Sequence, residues 1–173
     1  MNAHRRMFLK GASVVAIGAA AFALLPRLRG GDTYSDAHAE TTFEVVKSEE
    51  EWRKQLTPDQ FAVLRQHSTE RPFTSPLNDE HRKGTFACAG CVLPLYASEA
   101  KYDSGTGWPS FFDPLPNAIG TSEDNPLFVS RTEVHCRRCG GHLGHVFDDG
   151  PQPTGKRYCM NGVALVFQPA ANS

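Results

Sequence analysis

Four of the five cysteines in this chain form two closely spaced pairs, a pattern suited to metal binding. Cys88-x-x-Cys91 and Cys136-x-x-Cys139 are separated by 44 residues, and glycines stand beside both pairs. Two such pairs can offer four thiolates in the tetrahedral arrangement that zinc accepts, and glycine suits the tight turns around the sulfurs. We therefore predict one structural Zn²⁺ per chain, joining two distant segments and held by Cys88, Cys91, Cys136 and Cys139.

Two other interpretations of these pairs stay open at the level of sequence. Each pair could form a disulfide, which an oxidising compartment would allow. A thioredoxin-like redox pair is the third interpretation, although it requires a strand-helix context that is absent here. A closed four-sulfur zinc site leaves no coordination position for substrate or water, which argues against catalysis by the metal.

The fifth cysteine, Cys159, stands apart in the segment Arg157-Tyr158-Cys159-Met160-Asn161. A buried, inert thiol is the ordinary interpretation of a lone cysteine. The neighbouring Arg157 favours a different one, because a nearby cation lowers the pKa of a thiol and raises its thiolate fraction. His142, His145 and Trp108 are further candidates, since imidazole exchanges protons near neutral pH; each of them is also compatible with a surface or core role.

The elements that position these residues begin with two short helices. Ser48-Glu49-Glu50-Glu51 and Thr57-Pro58-Asp59-Gln60 are both capping boxes, and the second has proline at the first helical position. They predict helices over residues 49–56 and 58–68 that pack onto the core.

Beyond Arg71 the apolar stretches are short and interrupted by glycine and proline. Residues 128–135 alternate in polarity, and residues 157–167 carry Val163, Leu165 and Phe167 at period two, so both segments predict strands. No strand-helix-strand alternation is visible, which disfavours a parallel doubly wound sheet. The predicted fold class is mainly β, with antiparallel sheets, short N-terminal helices and a four-cysteine zinc site clamping two segments.

Residues 1–39 are expected to be an export signal. Arg5, Arg6 and Lys10 precede residues 11–25, a run of 15 residues without charge. Crossing the hydrocarbon layer takes about 20 residues, so a cleaved signal is favoured over a membrane span. The arginine pair resembles a twin-arginine signal, although His4 replaces the usual Ser or Thr. We expect cleavage after Ala39 and a periplasmic location; the alternative is a signal retained as a membrane anchor.

Residues 40–173 are expected to form one domain with its own core. They hold 13 Lys and Arg against 17 Asp and Glu, a formal charge of −4. An acidic domain has no general electrostatic attraction to nucleic acid, so no nucleic-acid partner is expected.

Four ordered motifs together resemble one enzyme family over about residues 43–168. They are Gly-Trp-Pro-Ser-Phe at 107–111, Cys-x-x-Cys-Gly-x-His-Leu-Gly-His-Val-Phe at 136–147, Asp-Gly-Pro-x-Pro-Thr-Gly at 149–155 and Arg-Tyr-Cys-x-Asn at 157–161. This combination is similar to the B-type methionine-R-sulfoxide reductases. The resemblance implies reduction of the R epimer of methionine sulfoxide, mainly in oxidised proteins or peptides.

The resemblance also implies roles for individual residues. Cys159 would attack the sulfoxide sulfur and become a sulfenic acid, while His142 and His145 would donate or relay protons to the oxygen. Asn161 would orient that oxygen. The substrate would be bound by Trp108, Phe147 and Arg157.

Two positions depart from the family pattern. Many relatives carry a second cysteine where this chain has Thr106, so we expect recycling by an external thiol, such as a thioredoxin-like protein. Gly162 replaces a serine that often follows the asparagine.

Two rival functions explain less of the sequence. A non-catalytic zinc-ribbon interaction module accounts for the four paired cysteines but not for Cys159, His142, His145 and Trp108. A periplasmic thiol-disulfide oxidoreductase accounts for a reactive thiol but not for a closed zinc site.

Overall fold

The computed structural model describes residues 42–124 and 130–171. The signal expected in residues 1–39 lies outside these residues. In the part of the chain that is described, no helix combines the length and the apolar character needed to cross a membrane.

Two short helices open the described chain, as the capping boxes predict. Helix α1 spans Glu49–Gln55 and α2 spans Pro58–Gln66, and both capping boxes are formed reciprocally. In α1 the backbone N–H of Ser48 donates to the Glu51 carboxylate over 2.8 Å. Helix α2 ends earlier than the predicted residue 68 because His67 adopts a left-handed conformation with φ of 55°.

The body of the domain is antiparallel sheet, as predicted. Its strands are β1 (Gly84–Cys88), β2 (Pro94–Ala97), β3 (Lys101–Tyr102), β4 (Ser110–Phe111), β5 (Ile119–Asp124), β6 (Arg131–Cys136), β7 (His142–Phe147), β8 (Arg157–Met160) and β9 (Leu165–Pro169). A three-stranded sheet has the order β2-β1-β9, and a six-stranded sheet has the order β3-β4-β8-β7-β6-β5. Every paired neighbour is antiparallel.

The core is formed by apolar side chains from both sheets and the helices. Tyr96 stacks on Phe111 with ring centroids 4.3 Å apart, and Phe86 meets Phe111 edge-on at 5.0 Å. The helices add Trp52 and Leu64 to the same buried cluster. This packing joins the two sheets and supports the back of the strands that carry Cys159 and the histidines.

The prediction of one strand over residues 157–167 is wrong. Strand β8 ends at Met160, a 3₁₀ turn occupies Gly162–Ala164, and β9 belongs to the other sheet. The period-two residues Val163, Leu165 and Phe167 all lie in the turn and β9, so this pattern does not extend into β8. The strand predicted over 128–135 is observed as Arg131–Cys136; residues 128 and 129 lie outside the described residues.

Gly162 occupies a position with no room for a side chain. A Cβ added there would lie 1.8 Å from Ser75 Oγ. The Ser75 hydroxyl accepts the backbone N–H of Leu77 over 3.2 Å, so it is held in the space that a serine at position 162 would need. In this chain, glycine at 162 and serine at 75 are therefore matched to each other.

Candidate active site

The four paired cysteines converge at the ends of two strands from different sheets. Cys88 ends β1 and Cys136 ends β6. Each is followed by a turn that places the second cysteine of its pair close to the other three sulfurs. The Sγ atoms of Cys88 and Cys139 lie 3.8 Å apart, and those of Cys91 and Cys136 lie 3.4 Å apart.

This sulfur cluster has the composition and geometry of a metal site. All four sulfurs lie within 4.8 Å of one another, and all five cysteines of the chain are free thiols. Zn–S bonds of about 2.3 Å in a tetrahedron would place sulfurs about 3.8 Å apart. The residues present therefore fit a metal ion of that coordination, as the spacing predicted.

Cys159 lies in a different place, half-buried on β8 in the six-stranded sheet. Its direct cross-strand neighbours are Ser110 on β4 and His145 on β7. Continuing across the sheet, His145 is opposite Glu133 on β6, and Glu133 is opposite Ser122 on β5. Opposed residues share one face of a sheet at steps of about 4.8 Å, so these residues form one row, the Cys159 row: Ser110, Cys159, His145, Glu133 and Ser122.

A second row lies two residues further along the strands and on the same face. It contains the opposed pair Phe147 and Arg157, and the opposed pair Arg131 and Asp124. Cys159 and His145 from the first row, with Phe147 and Arg131 from the second, form one wall of a cavity of about 160 Å³. The predicted site residues Cys159, His145, Asn161, Trp108 and Phe147 line this cavity, together with Thr69, Arg131 and Gly144. The predicted site residue Arg157 does not line this cavity.

His145 is held by a carboxylate. Its Nε2 lies 2.7 Å from Asp124 Oδ2, and Arg131 Nη2 donates to the same oxygen over 2.7 Å. Burial lowers the pKa of His145, and the hydrogen bond to Asp124 opposes that shift. The hydrogen bond from His145, supported by Arg131, holds the pKa of Asp124 below its usual range. A neutral imidazole in this position can accept the proton of the neighbouring thiol.

His142 lies behind His145 rather than on the cavity wall. Its ring is 2% exposed and meets the His145 ring edge-on at 5.3 Å. Its Nδ1 lies 2.8 Å from Glu133 Oε1. Hydrogen bonds from His135 and His142 hold the pKa of Glu133 well below its usual range, so the buried carboxylate is ionised and orients the imidazole.

Trp108 and Asn161 both form hydrogen bonds to the backbone of Glu70. The indole Nε1 of Trp108 donates to the backbone carbonyl of Glu70 over 2.9 Å, and the backbone N–H of Glu70 donates to Asn161 Oδ1 over 2.8 Å. Asn161 Nδ2 also donates to the Leu143 carbonyl over 3.0 Å. The asparagine therefore ties three segments together beside the cavity, and one N–H of its amide is left to face a ligand.

Arg157 forms a bidentate salt bridge with a carboxylate, which the sequence did not predict. Its Nε and Nη2 each donate to the Asp149 carboxylate over 2.8 Å, and its guanidinium lies 4.3 Å from the Phe147 ring centroid. The bidentate pair offsets much of the charge that Arg157 presents to Cys159. The structure supports a role for Arg157 in holding the Phe147 ring more directly than one in activating the thiol.

Thr106 lies beside the Cys159 sulfur. Its Oγ1 is 3.8 Å from Cys159 Sγ and 2.8 Å from Ser104 Oγ, which in turn lies 2.7 Å from Ser110 Oγ. The immediate surroundings of the thiol on this side are therefore hydroxyl groups.

Comparison with known proteins agrees with this geometry. The SelR domain model matches residues 56–169. The chain is 52% identical over 130 residues to the peptide methionine sulfoxide reductase MsrB of Agrobacterium fabrum, covering 75% of this chain and 96% of that one. It is 55% identical over 125 residues to the protein of the same name from Methanosarcina barkeri, covering 72% and 88%. The chain belongs to the B-type methionine-R-sulfoxide reductase family. Members of this family are oxidoreductases.

The sequence did not reveal the residues that hold His142, His145, Trp108 and Asn161 in position. Asp124, Arg131, Glu133 and Glu70 all contact predicted site residues, but none lies in a motif with them. One signal was present: Arg131 and Glu133 share one face of a predicted strand with His135, and charged side chains on such a face can pair with side chains of the neighbouring strand.

The first testable prediction concerns the ionisation of His145. Because burial outweighs the Asp124 hydrogen bond, NMR titration should place the His145 pKa below its ordinary value of about 6.5. The imidazole would then be neutral above that pKa and become charged only as the pH falls through it. Asp124→Asn removes the interaction that raises the pKa and should move the titration to still lower pH.

Asp148→Asn is the matched control, since Asp148 pairs with Lys156 and is exposed to solvent. It should leave the His145 titration unchanged. A His145 pKa above 6.5, or an upward shift in Asp124→Asn, would show that the ion pair dominates over burial.

Proposed function

We propose that this protein reduces the R epimer of methionine sulfoxide, mainly within oxidised proteins and peptides, through a sulfenic acid on Cys159. The observation that carries the proposal is the pairing of Cys159 with His145 on one wall of a small cavity. The other four cysteines are gathered elsewhere, which leaves Cys159 as the one thiol at this cavity. Family membership supports the same reaction.

The cavity walls suit a thioether that carries one polar atom. Trp108 and Phe147 offer ring surfaces for the methyl and methylene groups beside the sulfur. Arg131 and the remaining N–H of Asn161 offer hydrogen-bond donors for the sulfoxide oxygen, and His145 becomes a donor once it has taken the thiol proton. A chiral sulfoxide presents its methyl group and oxygen in opposite orders in its two epimers, so separate apolar and polar walls favour one of them.

The proposed reaction transfers one oxygen atom to Cys159. Neutral His145 takes the thiol proton, the thiolate attacks the sulfoxide sulfur, and the resulting imidazolium protonates the sulfoxide oxygen. That oxygen then passes to the Cys159 sulfur while the bond between the two sulfurs breaks and its electron pair stays on the substrate sulfur. In sum, the Cys159 thiol and the sulfoxide give a sulfenic acid and a thioether, so sulfur in the substrate is reduced and Cys159 is oxidised. His142, oriented by Glu133, stands behind His145 as the next group in the proton relay.

We propose that the sulfenic acid is then reduced by an external thiol, such as a thioredoxin-like protein. Two external thiols would supply the electrons, leaving the Cys159 thiol, one disulfide and one water. The absence of an internal partner supports this step, because the side chain beside the Cys159 sulfur is Thr106. The remaining four cysteines lie in their own cluster.

We propose that the sulfur cluster holds one structural Zn²⁺. The fit of four sulfurs to a tetrahedron supports zinc, and four protein ligands would leave no open position for chemistry. Zinc held there would bond the end of β1 to the end of β6 and would stabilise the fold that carries Cys159.

We also propose that residues 1–39 direct export to the periplasm by the twin-arginine route. That route carries folded proteins, so zinc could be bound in the reducing cytoplasm before the four thiols meet an oxidising compartment. The proposal rests on Arg5, Arg6 and the short apolar run that follows them.

The central test compares the two epimers of a methionine sulfoxide peptide with dithiothreitol as reductant. Wild-type protein should reduce the R epimer, and Cys159→Ser should lower that rate by about 10³-fold or more, because it removes the nucleophile. The S epimer is the control in the same assay and should not be reduced. Failure of the zinc-loaded wild type to reduce the R epimer would exclude the proposal.

Recycling is tested by mass spectrometry after one equivalent of substrate without reductant. The wild type should gain one oxygen on Cys159. Thr106→Cys should instead lose two hydrogens, because a thiol there needs to approach Cys159 Sγ by only about 2 Å to form a disulfide. Ser98→Cys, in the turn after β2, is the control and should behave like the wild type. A wild-type disulfide between Cys159 and any of the clustered cysteines would contradict the external route.

The zinc proposal predicts one zinc per chain by elemental analysis. Cys136→Ser should lose the metal and lower the free energy of unfolding by several kcal/mol, given that structural zinc sites contribute about 10–16 kcal/mol to small domains. Cys159→Ser is the matched control and should keep both its zinc and its stability. Purified protein without zinc and with Cys88, Cys91, Cys136 and Cys139 in disulfides would contradict the proposal.

Export is tested by cell fractionation. Changing both Arg5 and Arg6 to lysine should retain the protein in the cytoplasm, since the twin-arginine route requires the arginine pair. Lys10→Arg preserves charge at a neighbouring position and should be exported normally. Periplasmic delivery of the double variant at the wild-type level would exclude this route.

A further inference from the structure

A second group of metal-binding side chains lies around the Glu133 carboxylate. Glu133 Oε1 lies 2.8 Å from His142 Nδ1 and 3.4 Å from His67 Nδ1. The three ligand atoms all lie within 4.8 Å of one another. We refer to His67, Glu133 and His142 as the Glu133 cluster. It is separate from the group formed by the four paired cysteines.

Two imidazoles and one carboxylate are a donor set that binds zinc and other divalent transition metals. Tetrahedral coordination at metal–ligand distances of about 2.1 Å places the ligand atoms about 3.4 Å apart. Of the two distances at Glu133 Oε1, the 3.4 Å to His67 matches this value and the 2.8 Å to His142 is shorter, so small rotations of the side chains would complete the site. Three protein ligands would leave the fourth position to water.

Burial and access are both suited to a bound cation. Glu133 and His142 are 8% and 2% exposed, so the strands hold them in place, whereas the His67 side chain is 63% exposed and offers a route from solvent. His67 is also the residue at which α2 ends. The carbonyl groups at the end of a helix favour a cation nearby. Ser122 donates to the other carboxylate oxygen of Glu133 and orients it.

We propose that the Glu133 cluster binds a second divalent transition-metal ion, with Zn²⁺ as the representative case, and that this ion inhibits the enzyme. The metal would take the place of the proton on His142 Nδ1, and the neutral imidazole would carry its one proton on Nε2 instead. Metal binding itself does not depend on the proposed reaction, but the inhibition does.

Inhibition follows from the position of His142. Its ring meets the His145 ring at 5.3 Å, and His145 is opposed to Cys159. A metal on Nδ1 would fix the remaining ring proton of His142 on Nε2, so His142 could no longer pass protons to and from His145.

The binding test uses protein whose cysteine site is already filled with zinc, titrated with Co²⁺ without substrate. Wild type should bind one further equivalent, with visible ligand-field bands and without the intense near-ultraviolet charge-transfer band of cobalt thiolates. His67→Ala should weaken this binding at least about tenfold, since it removes one of three ligands. His81→Ala is the matched control, because His81 is exposed and lies at a different cavity; it should bind as the wild type does.

The inhibition test follows R-sulfoxide reduction while Zn²⁺ is added to the same zinc-loaded protein. The rate should fall as the second equivalent binds, and His67→Ala, measured against its own rate without added metal, should need at least about ten times more zinc. Binding of no second equivalent, or unchanged binding by His67→Ala, would overturn the site. Binding without loss of rate would overturn the inhibition. The number of metal ions bound is measured without substrate. It therefore tests the metal site independently, even if the protein shows no reductase activity.

Discussion

The meeting of four sulfur atoms is the interaction on which the rest of this structure depends. It joins the end of β1 in one sheet to the end of β6 in the other, across 44 intervening residues. Strand β6 carries Glu133 and Arg131, pairs with β7, and through β7 sets the position of β8. A metal held by these sulfurs, as proposed, would couple the two strand ends and limit how far the two sheets can separate.

The site itself is built on strands rather than loops. Cys159 and His145 are opposed across a ladder, and each histidine is oriented by a carboxylate from β5 or β6. Backbone groups of Glu70 hold Trp108 and Asn161 on the remaining side. Rigid neighbours of this kind keep reacting groups in position without an energetic cost at the moment of reaction. The segment around Glu70 is the exception, since it is irregular and is held by the side chains it positions.

Local chemistry explains which features could be predicted from sequence. Each capping box is completed within four residues, and each cysteine pair within four, so both patterns are visible without knowledge of the fold. The partners of the histidines are different, because Asp124 lies 21 residues from His145 and meets it only through strand pairing. The break at Gly162 was hidden because apolar side chains occur on both sides of the turn and enter the same core, although β8 and β9 belong to different sheets. Pairing between distant strands is decided by the whole core, and one segment does not reveal it.

The Cys159 row also bears on how such a chain can change over evolutionary time. Each member occupies one rung on a different strand, from Ser122 on β5 to Ser110 on β4. A single inserted or deleted residue within β6, β7 or β8 would turn every following side chain of that strand to the opposite face. Such a change would remove the thiol or a histidine from the cavity while leaving the composition of the chain almost intact. We therefore expect changes in length in the connections between strands rather than within the segments that carry this row.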